Sequence, residues 1–425
     1  MKQSMYNNQV KINNIDIIYN SFSNRFISVT PDILDCLSGN YSNHNVLNGL
    51  RNARFLVEDD ENEKDLVMNC YLRRKFSLRV YQLIINTSLD CNLQCWYCYE
   101  THIKKSFISS DVVLNILKHI ELKFISEPFE VLELSFFGGE PMLNYKAISD
   151  LLQHVKSLMN KYGFKVLLTI VTNGTCINKR YIDLLRDFKT RFQITMDGDE
   201  CTHNSIRKFK DARKGNSYKY IINGLKLLSE SKANFYFTIR VNYDSNVIKN
   251  IVHLINDLSF LNREKTIISL QKVWQCKLDE INTQKLFDVI GYINTQKFFV
   301  DIYGFSSKFC SCYANNYNQA IINYDGKVYK CTARDFVKDR SYGVLNSEGI
   351  IVWDIGKLKK RLSLNAPQKC IDCSLFPSCK GFCSQKLLEC EDIDTLPCLY
   401  DKELSKSDIV LHNIKQKLIE RRNEV

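Results

Sequence analysis

Three cysteines lie close together after a short apolar segment of the chain. Cys91, Cys95 and Cys98 are separated by three and then two residues, and they follow the strand-like segment Tyr81 to Asn86. A 4Fe-4S cube needs four ligands, so three thiolates leave one iron open for chemistry. A structural zinc ion is the alternative, but it prefers four tetrahedral ligands, and no second pair of Cys or His residues lies close by in the sequence.

The loop resembles the signature of the radical S-adenosylmethionine (SAM) superfamily, in which an aromatic residue, here Tyr97, precedes the third Cys. The resemblance implies that Cys91, Cys95 and Cys98 are metal ligands and catalytic residues, and that SAM fills the open iron site. It also implies that Tyr97 lies along the adenine. An electron from the reduced cluster would cleave SAM to methionine and a 5'-deoxyadenosyl radical, which removes a hydrogen from the substrate.

A second motif, Gly138-Gly139-Glu140-Pro141, follows another strand-like segment. Glycines at a strand end let the backbone approach a ligand closely, and an acidic or carbonyl group there can hold an ammonium. An ordinary tight turn is the alternative. In its place after the Cys loop the motif resembles the superfamily segment that holds the amino group of SAM, so the resemblance implies that these four residues bind the cofactor.

Polar residues also end two later strand-like segments, where caps and turn residues are commonly polar for structural reasons alone. In superfamily members these strand ends contact the ribose, the carboxylate or the substrate. The resemblance therefore implies cofactor contacts from Thr195, Asp197, Arg240 and Asn242.

The stretch from Asp197 through His203 to Arg207 also resembles a pattern of the family. It departs from that pattern at Asp199, which stands where relatives have Pro after the Gly. We expect the lone His203 to be structural.

Nine of the chain's seventeen cysteines lie from Cys310 onward. Cysteines in a chain without a secretion signal favour metal ligation over disulfides, because the cytosol keeps thiols reduced. Closely spaced Cys pairs would suit zinc in isolation. The order of these residues instead resembles the SPASM extension of radical SAM enzymes, which binds two auxiliary 4Fe-4S clusters. The resemblance implies ligands from Cys310, Cys312, Cys331, Cys370, Cys373, Cys379, Cys383 and Cys398.

By analogy with relatives, one auxiliary cluster takes Cys331 and Cys383 with Cys310 or Cys312. The other takes Cys370, Cys373, Cys379 and Cys398. Two choices stay open at this point, because Cys310 fits the spacing as well as Cys312 does, and Cys390 competes with Cys398 as the last ligand.

A hairpin is predicted to place Cys331. The segments Gln319 to Tyr324 and Lys327 to Cys331 alternate about Asp325-Gly326, which is typical of a two-residue hairpin turn.

The elements that must position these residues alternate between strands and helices from about residue 81 to 275. This pattern predicts an α/β fold with a partial (β/α)6 TIM-type barrel, in which chemistry gathers at the carboxyl ends of the strands. We expect strands at Tyr81 to Asn86, Val131 to Phe137, Lys165 to Val171, Arg191 to Met196, Phe235 to Val241 and Thr266 to Lys272. Helices are expected after Ser110 as a cap, from Asn144 to Gly163, and from Ser217 through Leu228.

Three domains are predicted: an N-terminal domain over 1–80, a radical SAM core barrel over 81–300, and a Cys-rich SPASM-type cluster domain over 301–425. The first should contain a β-like start, a turn at Ser21 to Asn24 and a helix near Pro31 to Leu37. It either packs against the barrel or docks a leader peptide by strand addition, as in peptide-modifying relatives.

Composition limits the classes of partner. The 425 residues are 45% hydrophobic and 25% charged, with a formal net charge of +11. Three clusters would lower that charge to about +6. No apolar stretch approaches the roughly 20 residues that span a bilayer. We therefore expect a cytoplasmic protein that binds neither membrane nor nucleic acid, although Arg207 to Lys214 is the segment nearest to a basic stripe.

The resemblance implies an enzyme that modifies a ribosomally made precursor peptide, by thioether or carbon-carbon cross-linking, with an electron donor such as flavodoxin or ferredoxin. One alternative is an anaerobic sulfatase maturase that forms formylglycine. In such relatives an Asp directly follows the hairpin Cys, whereas here Thr332 follows Cys331 and the nearest carboxylate is Asp335. A non-catalytic, cluster-bearing scaffold is the second alternative, and the intact three-Cys loop argues against it.

Overall fold

The computed structural model describes residues 1–276, 283–302, 312–379, 383–393, 398 and 405–423. Its contacts divide the chain into two compact units. The first comprises Met1–Phe76, Gly304–Asn316 and Ser363–Val425, and the second comprises Ser77–Tyr303 and Tyr317–Leu362. Each unit takes residues from separate stretches of the chain, and the division into three domains stays a prediction. No helix of the described chain combines the length and apolar character needed to cross a membrane.

The first unit begins with short strands and three helices. Its strands are β1 (Lys2–Gln3), β2 (Asn7–Ile12), β3 (Ile15–Asn20), β4 (Arg25–Ser28) and β5 (Leu56–Val57), and its helices are α1 (Pro31–Leu37), α2 (His44–Asn52) and α3 (Glu63–Lys75). Strands β2, β3 and β4 pair antiparallel, and β1 pairs with β5. Asn13 and Asn14 both have positive φ, which suits the tight turn between β2 and β3. The predicted turn at Ser21 to Asn24 and the helix at Pro31 to Leu37 are confirmed.

The second unit is built on one large sheet. Its strands are β6 (Val80–Ser88), β8 (Val131–Gly138), β9 (Lys165–Thr172), β10 (Lys189–Thr195), β12 (Phe235–Tyr243), β13 (Thr266–Lys272), β14 (Phe299–Ile302), β15 (Gln319–Ile322), β16 (Lys327–Tyr329), β17 (Gly343–Leu345) and β18 (Ile351–Trp353). Strands β7 (Leu93–Cys95) and β11 (Arg207–Phe209) form a separate antiparallel pair. The α/β class with a partial barrel is confirmed, and all six predicted strands are present.

The order of strands in the large sheet is β14, β13, β12, β10, β9, β8, β6, β15, β16, β17 and β18. Neighbours from β14 to β15 run parallel, and the last three strands pair antiparallel. The sequence did not indicate that β14 and β15 would extend the parallel sheet at its two sides. Their pairing depends on tertiary neighbours, which a local pattern does not specify.

Helices pack against the strands of this unit. They are α4 (Ser110–Ser126), α5 (Tyr145–Tyr162), α6 (Lys179–Leu185), α7 (Glu200–Ile206), α8 (Ser217–Glu230), α9 (Val247–Asp257), α10 (Thr283–Thr295) and α11 (Ile355–Leu362). Helix α5 runs from the cap Asn144 to Gly163, which has φ of +79°, as predicted. The predicted cap of α4 is wrong by one residue, because the side chain of Ser109, not Ser110, accepts the hydrogen bond from the backbone N–H of Val112.

The hairpin of β15 and β16 is confirmed, but its turn differs from the predicted two-residue form. The N–H of Gly326 donates to the carbonyl of Asn323 at 2.9 Å, so Tyr324 and Asp325 are the central residues of the turn. Gly326 follows with φ of +78°, and the N–H of Asn323 donates to the carbonyl of Lys327. A type I turn followed by a left-handed glycine is the usual three-residue hairpin loop.

The first unit ends with α12 (Gln368–Ile371), α13 (Ser384–Glu389) and α14 (Lys406–Asn423). Cys370 and Cys373 pack against a small hydrophobic cluster that includes Tyr6 and Val67. Ser374 Oγ donates to Asn8 Oδ1 at 2.6 Å. The N-terminal strands and the Cys-rich segment therefore belong to one packed structure.

A buried histidine in α4 makes the second unit sensitive to acid. His119 Nε2 lies 2.7 Å from the hydroxyl of Tyr81, and its Nδ1 lies 2.9 Å from the carbonyl of Gly349. The carbonyl can only accept, so Nδ1 carries the proton and neutral Nε2 accepts from Tyr81. Burial lowers the pKa of His119 to about 4.

Because the folded pKa lies below the unfolded value of about 6.5, stability is full above pH 6.5 and is lost as pH falls towards 4. We expect the free energy of unfolding to fall by about 1 kcal/mol between pH 7.5 and 5.5 through this residue. Anaerobic denaturant titrations of the wild type and of His119→Gln at both pH values measure this change in the free energy of unfolding. His119→Gln is the control because Gln cannot titrate. Equal pH dependence in the two proteins would contradict the assignment.

Candidate active site

A cavity that opens to solvent lies at the carboxyl ends of the parallel strands. Residues alternate along β12, so Ile239 and Val241 are buried in the core while Arg240 and Asn242 line the cavity. Thr195, the last residue of β10, lines it as well. The strand periodicity therefore separates the residues that stabilise the sheet from those that face the site.

The Cys loop is fixed by a strand pair at this end of the sheet. In the pairing of β7 with β11, Cys95 lies opposite Arg207 and Leu93 lies opposite Phe209. Leu93, Phe209 and Cys91 pack together in a small hydrophobic cluster. Backbone hydrogen bonds and apolar contacts thus hold the loop between its first and second cysteines.

The Gly-Gly-Glu-Pro motif packs directly against the segment that leads into the Cys loop. A side chain on Gly139 would place its Cβ 2.4 Å from the carbonyl oxygen of Asp90, and one on Gly138 would lie 2.1 Å from that of Ser88. The N–H groups of Gly139 and Glu140 donate to the same two carbonyls at 3.0 and 2.8 Å. Glycine is required here because two backbones touch.

Glu140 is fully buried, and its carboxylate binds within the protein. Oε1 accepts from the hydroxyl of Thr172 at 2.7 Å and from the N–H of Met142 at 3.0 Å, and Oε2 accepts from the N–H of Asn173 at 2.7 Å. Burial raises the pKa of Glu140, and these hydrogen bonds oppose that rise. The side chain joins the ends of β8 and β9, so a contact of this motif with SAM would come from its backbone.

The hydroxyl of Tyr97 is the centre of a buried polar network. It donates to Asp197 Oδ2, and it accepts from Arg207 Nη1 at 2.6 Å and from Asn242 Nδ2 at 3.1 Å. Asp197 Oδ1 accepts from the N–H of Asn242 at 2.8 Å, and Arg207 Nη1 lies 3.7 Å from Asp197 Oδ2. Burial raises the pKa of Asp197, and the charge of Arg207 opposes this. The network ties the Cys loop to the ends of β10 and β12.

The predicted cofactor residues fall into two groups. Tyr97, Gly138, Thr195, Arg240 and Asn242 line the cavity. The wall of the cavity does not include Gly139, Glu140, Pro141 or Asp197. Those four residues lie in the segments that hold the wall in place, so their predicted contact with SAM stays a prediction.

Arg207 lines the cavity and was not among the predicted site residues. Its Nε is buried and has no hydrogen-bond acceptor. His203 Nδ1 accepts from the N–H of Asp197 at 3.2 Å, in agreement with a structural role. The only sequence pattern that pointed to a functional role for this arginine was its spacing from Asp197 and His203.

Of the three cysteines of the Cys loop, Cys91 is buried, Cys95 is half-buried and Cys98 is exposed. Burial raises the pKa of Cys91 to about 12. Asn173 Nδ2 donates to Cys91 Sγ at 3.7 Å. In the described chain, no three His, Cys, Asp or Glu side chains lie close enough together to share a single metal ion. A cube differs from a single ion because each thiolate binds a different iron at a separate corner.

The segment that follows Cys331 reaches the wall of the cavity. The guanidinium of Arg334 lies 5.8 Å from the ring centre of Trp274, and the rings of Phe336 and Phe137 are 6.4 Å apart. Burial, and next the charge of Asp335, raise the pKa of Glu100 to about 8. Trp274, Phe137 and Glu100 all line the cavity. The Cys331 segment is therefore a neighbour of the candidate active site.

The other predicted auxiliary ligands belong to the first unit. They are Cys312, Cys370, Cys373, Cys379, Cys383 and Cys398, and Cys390 lies there too. Cys310 lies outside the described residues. The grouping of these cysteines into two clusters stays a prediction.

Comparison with known proteins agrees with this site. The model of the radical SAM superfamily matches residues 85–250, which include the Cys loop, the Gly-Gly-Glu-Pro motif and the Tyr97 network. Residues 85–250 of the chain are a radical SAM domain. Membership implies a 4Fe-4S cluster and SAM as cofactors, which together supply a 5'-deoxyadenosyl radical when bound.

Relatives of this radical SAM enzyme include two curated enzymes. The cysteine-type anaerobic sulfatase-maturating enzyme of Clostridium novyi is 26% identical, over 71% of this chain and 87% of its own. The radical SAM cyclopropyl synthase TigE of Paramaledivibacter caminithermalis is 24% identical, over 72% of this chain and 68% of its own. Among solved structures, SuiB of Streptococcus suis bound to precursor peptide SuiA has a TM-score of 0.50 and 14% identity, over 96% and 99% of the two chains. The SuiB likeness concerns the fold.

The residues of this radical SAM enzyme fit its implied cofactors. The Cys loop provides three thiolates, as an open-iron cluster requires. Arg207 Nε is an unused donor on the cavity wall, which an anionic group of a bound ligand would satisfy. Cys98 also lines the cavity, so the cluster loop and the space for a ligand adjoin.

Gly139→Ala tests the close approach of the two backbones. The added Cβ, 2.4 Å from the Asp90 carbonyl, must displace the segment before Cys91. We expect destabilisation by about 1–3 kcal/mol and loss of most of the iron bound after anaerobic reconstitution. Gly291→Ala in α10 is the matched control, because nothing lies within 4 Å of its added Cβ. Wild-type iron content in Gly139→Ala would show that this contact does not determine the position of the Cys loop.

Tyr97→Phe tests the polar network. It removes the hydroxyl that donates to Asp197 and that accepts from Arg207 and Asn242, so a buried carboxylate loses a donor. We expect the free energy of unfolding to fall by about 2 kcal/mol. Tyr317→Phe is the control, because its hydroxyl makes one exposed hydrogen bond to Glu127 in the same unit. Equal stability of the two variants would rule out a central role for the Tyr97 hydroxyl.

Proposed function

We propose that this radical SAM enzyme modifies a ribosomally made precursor peptide by forming a thioether or carbon-carbon cross-link. One observation carries the proposal: the segment after Cys331 contacts the cavity wall through Arg334 and Phe336. An auxiliary cluster held by Cys331 would adjoin the radical site, where it could accept an electron or bind the substrate. The cytoplasmic location predicted from the sequence stays a prediction.

The proposal assigns three 4Fe-4S clusters to the chain, one bound by the Cys loop and two by the later cysteines. In the cavity, Arg207 would bind the carboxylate of SAM, while Thr195, Arg240 and Asn242 would contact its other polar groups. Tyr97 would shape the cavity from the loop side, with its hydroxyl held by Asp197. A peptide substrate is supported by the fold shared with SuiB, which is bound to precursor peptide SuiA.

A sulfatase-maturase activity is the second candidate. It is favoured by the relative from Clostridium novyi and by the position of Asp335 close to Glu100 on the cavity wall. Oδ1 of Asp335 is buried without a hydrogen-bond partner, so a carboxylate oxygen is unused in this region. Thr332 directly after Cys331 opposes this candidate, since the carboxylate expected there is absent.

Two cysteine variants separate radical formation from peptide modification. Cys95→Ala removes a ligand of the first cluster, so we expect no 5'-deoxyadenosine in anaerobic assays with dithionite and SAM. Cys331→Ala leaves the Cys loop intact, so we expect 5'-deoxyadenosine but no modified peptide, together with a loss of about four irons from about twelve per chain. If Cys331→Ala still formed the peptide product, the auxiliary cluster would not be needed for the reaction.

The product distinguishes the two candidate reactions. The assay uses a precursor peptide encoded beside this gene and, in parallel, a peptide that carries a sulfatase cysteine motif. A cross-link removes two hydrogens and forms no aldehyde. Formylglycine formed from Cys replaces sulfur by an aldehyde oxygen that a hydrazide reagent captures. An aldehyde on the sulfatase peptide, with no change in the precursor, would overturn the cross-linking proposal.

A further inference from the structure

The strand that pairs with the Cys loop carries a row of basic residues on its outer side. Arg207 and Phe209 are buried, whereas Lys208 and Lys210 are exposed, as the alternation of a strand requires. The turn that follows exposes Arg213 and Lys214. We call Lys208, Lys210, Arg213 and Lys214 the basic rim.

The basic rim borders the loop that holds the first cluster. The N–H of Lys210 donates to the carbonyl of Asn92 at 2.9 Å. Its ammonium lies 3.6 Å from Asp90 Oδ1, and Asp90 Oδ2 accepts from the N–H of Lys105 at 3.0 Å. Lys104 and Lys105 are themselves exposed and add two charges to this side of the molecule.

The positive charge of this surface exceeds its negative charge. Asp90 pairs with Lys210, and Asp211 pairs with Arg213 at 2.9 Å. This surface therefore has two carboxylates and six cationic side chains, which are the four of the basic rim together with Lys104 and Lys105. Within the described chain, no carboxylate lies within ion-pair distance of Lys208 or Lys214. The surface is therefore suited to a negatively charged partner.

A hollow beside the basic rim reaches a cluster ligand. It is shallow and open to solvent, and it is lined by Gln94, Cys95, Trp96, Ser205, Ile206 and Lys208. Trp96 is 54% exposed. Cys95 lines this hollow, whereas Cys98 lines the cavity for the substrate. The first cluster can thus be approached from a second side, where a partner would not obstruct the cavity.

We propose that the basic rim and this hollow form the docking surface of an acidic, flavodoxin-type electron carrier, which reduces the first cluster by way of Cys95. Each docking event would transfer one electron from the reduced flavin to the cluster, and the oxidised carrier would then leave. Opposite charge brings the carrier to the rim, and the exposed Trp96 gives an aromatic contact at its centre. The inference rests on SAM cleavage by the proposed enzyme but not on the identity of its product.

The test compares two electron sources. Lys208→Glu/Lys214→Glu reverses two charges that lie outside ion pairs, and Lys232→Glu/Lys249→Glu makes the same change in net charge on exposed positions after α8 and in α9. Each cluster-loaded protein is assayed for 5'-deoxyadenosine with flavodoxin and its reductase, and separately with dithionite. With flavodoxin, we expect the rim variant to form 5'-deoxyadenosine about tenfold more slowly than the wild type. With dithionite, we expect the two rates to be equal.

Binding is measured independently of turnover. Oxidised flavodoxin is titrated onto each protein at low and high salt, and we expect the rim variant to bind about tenfold more weakly at low salt. The control variant should bind like the wild type. Lys208→Gln/Lys214→Gln should fall between the wild type and the reversed variant.

Three results would overturn the proposal. Equal flavodoxin affinity in the rim and control variants would show that the rim does not contribute to docking. An equal loss of 5'-deoxyadenosine formation with dithionite would show that the rim acts through the stability of the cluster. Absence of 5'-deoxyadenosine from the wild type with dithionite would instead count against the proposed function. Tight binding of a single-stranded oligonucleotide, without binding of flavodoxin, would assign the surface to nucleic acid.

Discussion

The candidate site depends on the contact between the hydroxyl of Tyr97 and the buried pair Asp197 and Arg207. Arg207 is held in β11 opposite Cys95, while Asp197 lies two residues after the end of β10 and accepts a hydrogen bond from the N–H of Asn242. Through this contact a loop that contains three cysteines takes its position from two strands of the sheet. Removing either charge would leave the other buried and uncompensated, which proteins rarely tolerate.

The Gly-Gly-Glu-Pro motif holds the segment that leads into the same loop. Its glycines admit the backbone of Ser88 and Asp90, and Glu140 joins β8 to β9 through three hydrogen bonds. The motif therefore combines a close backbone contact with a buried carboxylate that makes no use of the cavity. Of its four residues Gly138 lines the cavity, together with side chains such as Thr195 and Asn242.

Much of this arrangement could be predicted from the sequence, because strand and helix patterns are local. The six strands and helix α5 with its Asn144 cap follow from periodicity and capping residues. The parallel pairing of β15 with β6 could not be predicted in this way, since it joins segments far apart in the chain. Arg207 was missed as a cavity residue because its burial results from pairing with the Cys loop, and a basic run such as Arg207 to Lys214 ordinarily indicates a solvated surface.

The packing of Asn8 against Ser374 has a consequence for how the chain folds. These residues are 366 positions apart, and the hydrophobic cluster beside them joins Tyr6 to Cys370 and Cys373. During synthesis the first strands can pair with one another early, but their contact with the Cys-rich segment can form only after most of the polypeptide has been made. Cys370 and Cys373 therefore reach their packed surroundings beside Tyr6 and Val67 only when translation is nearly finished.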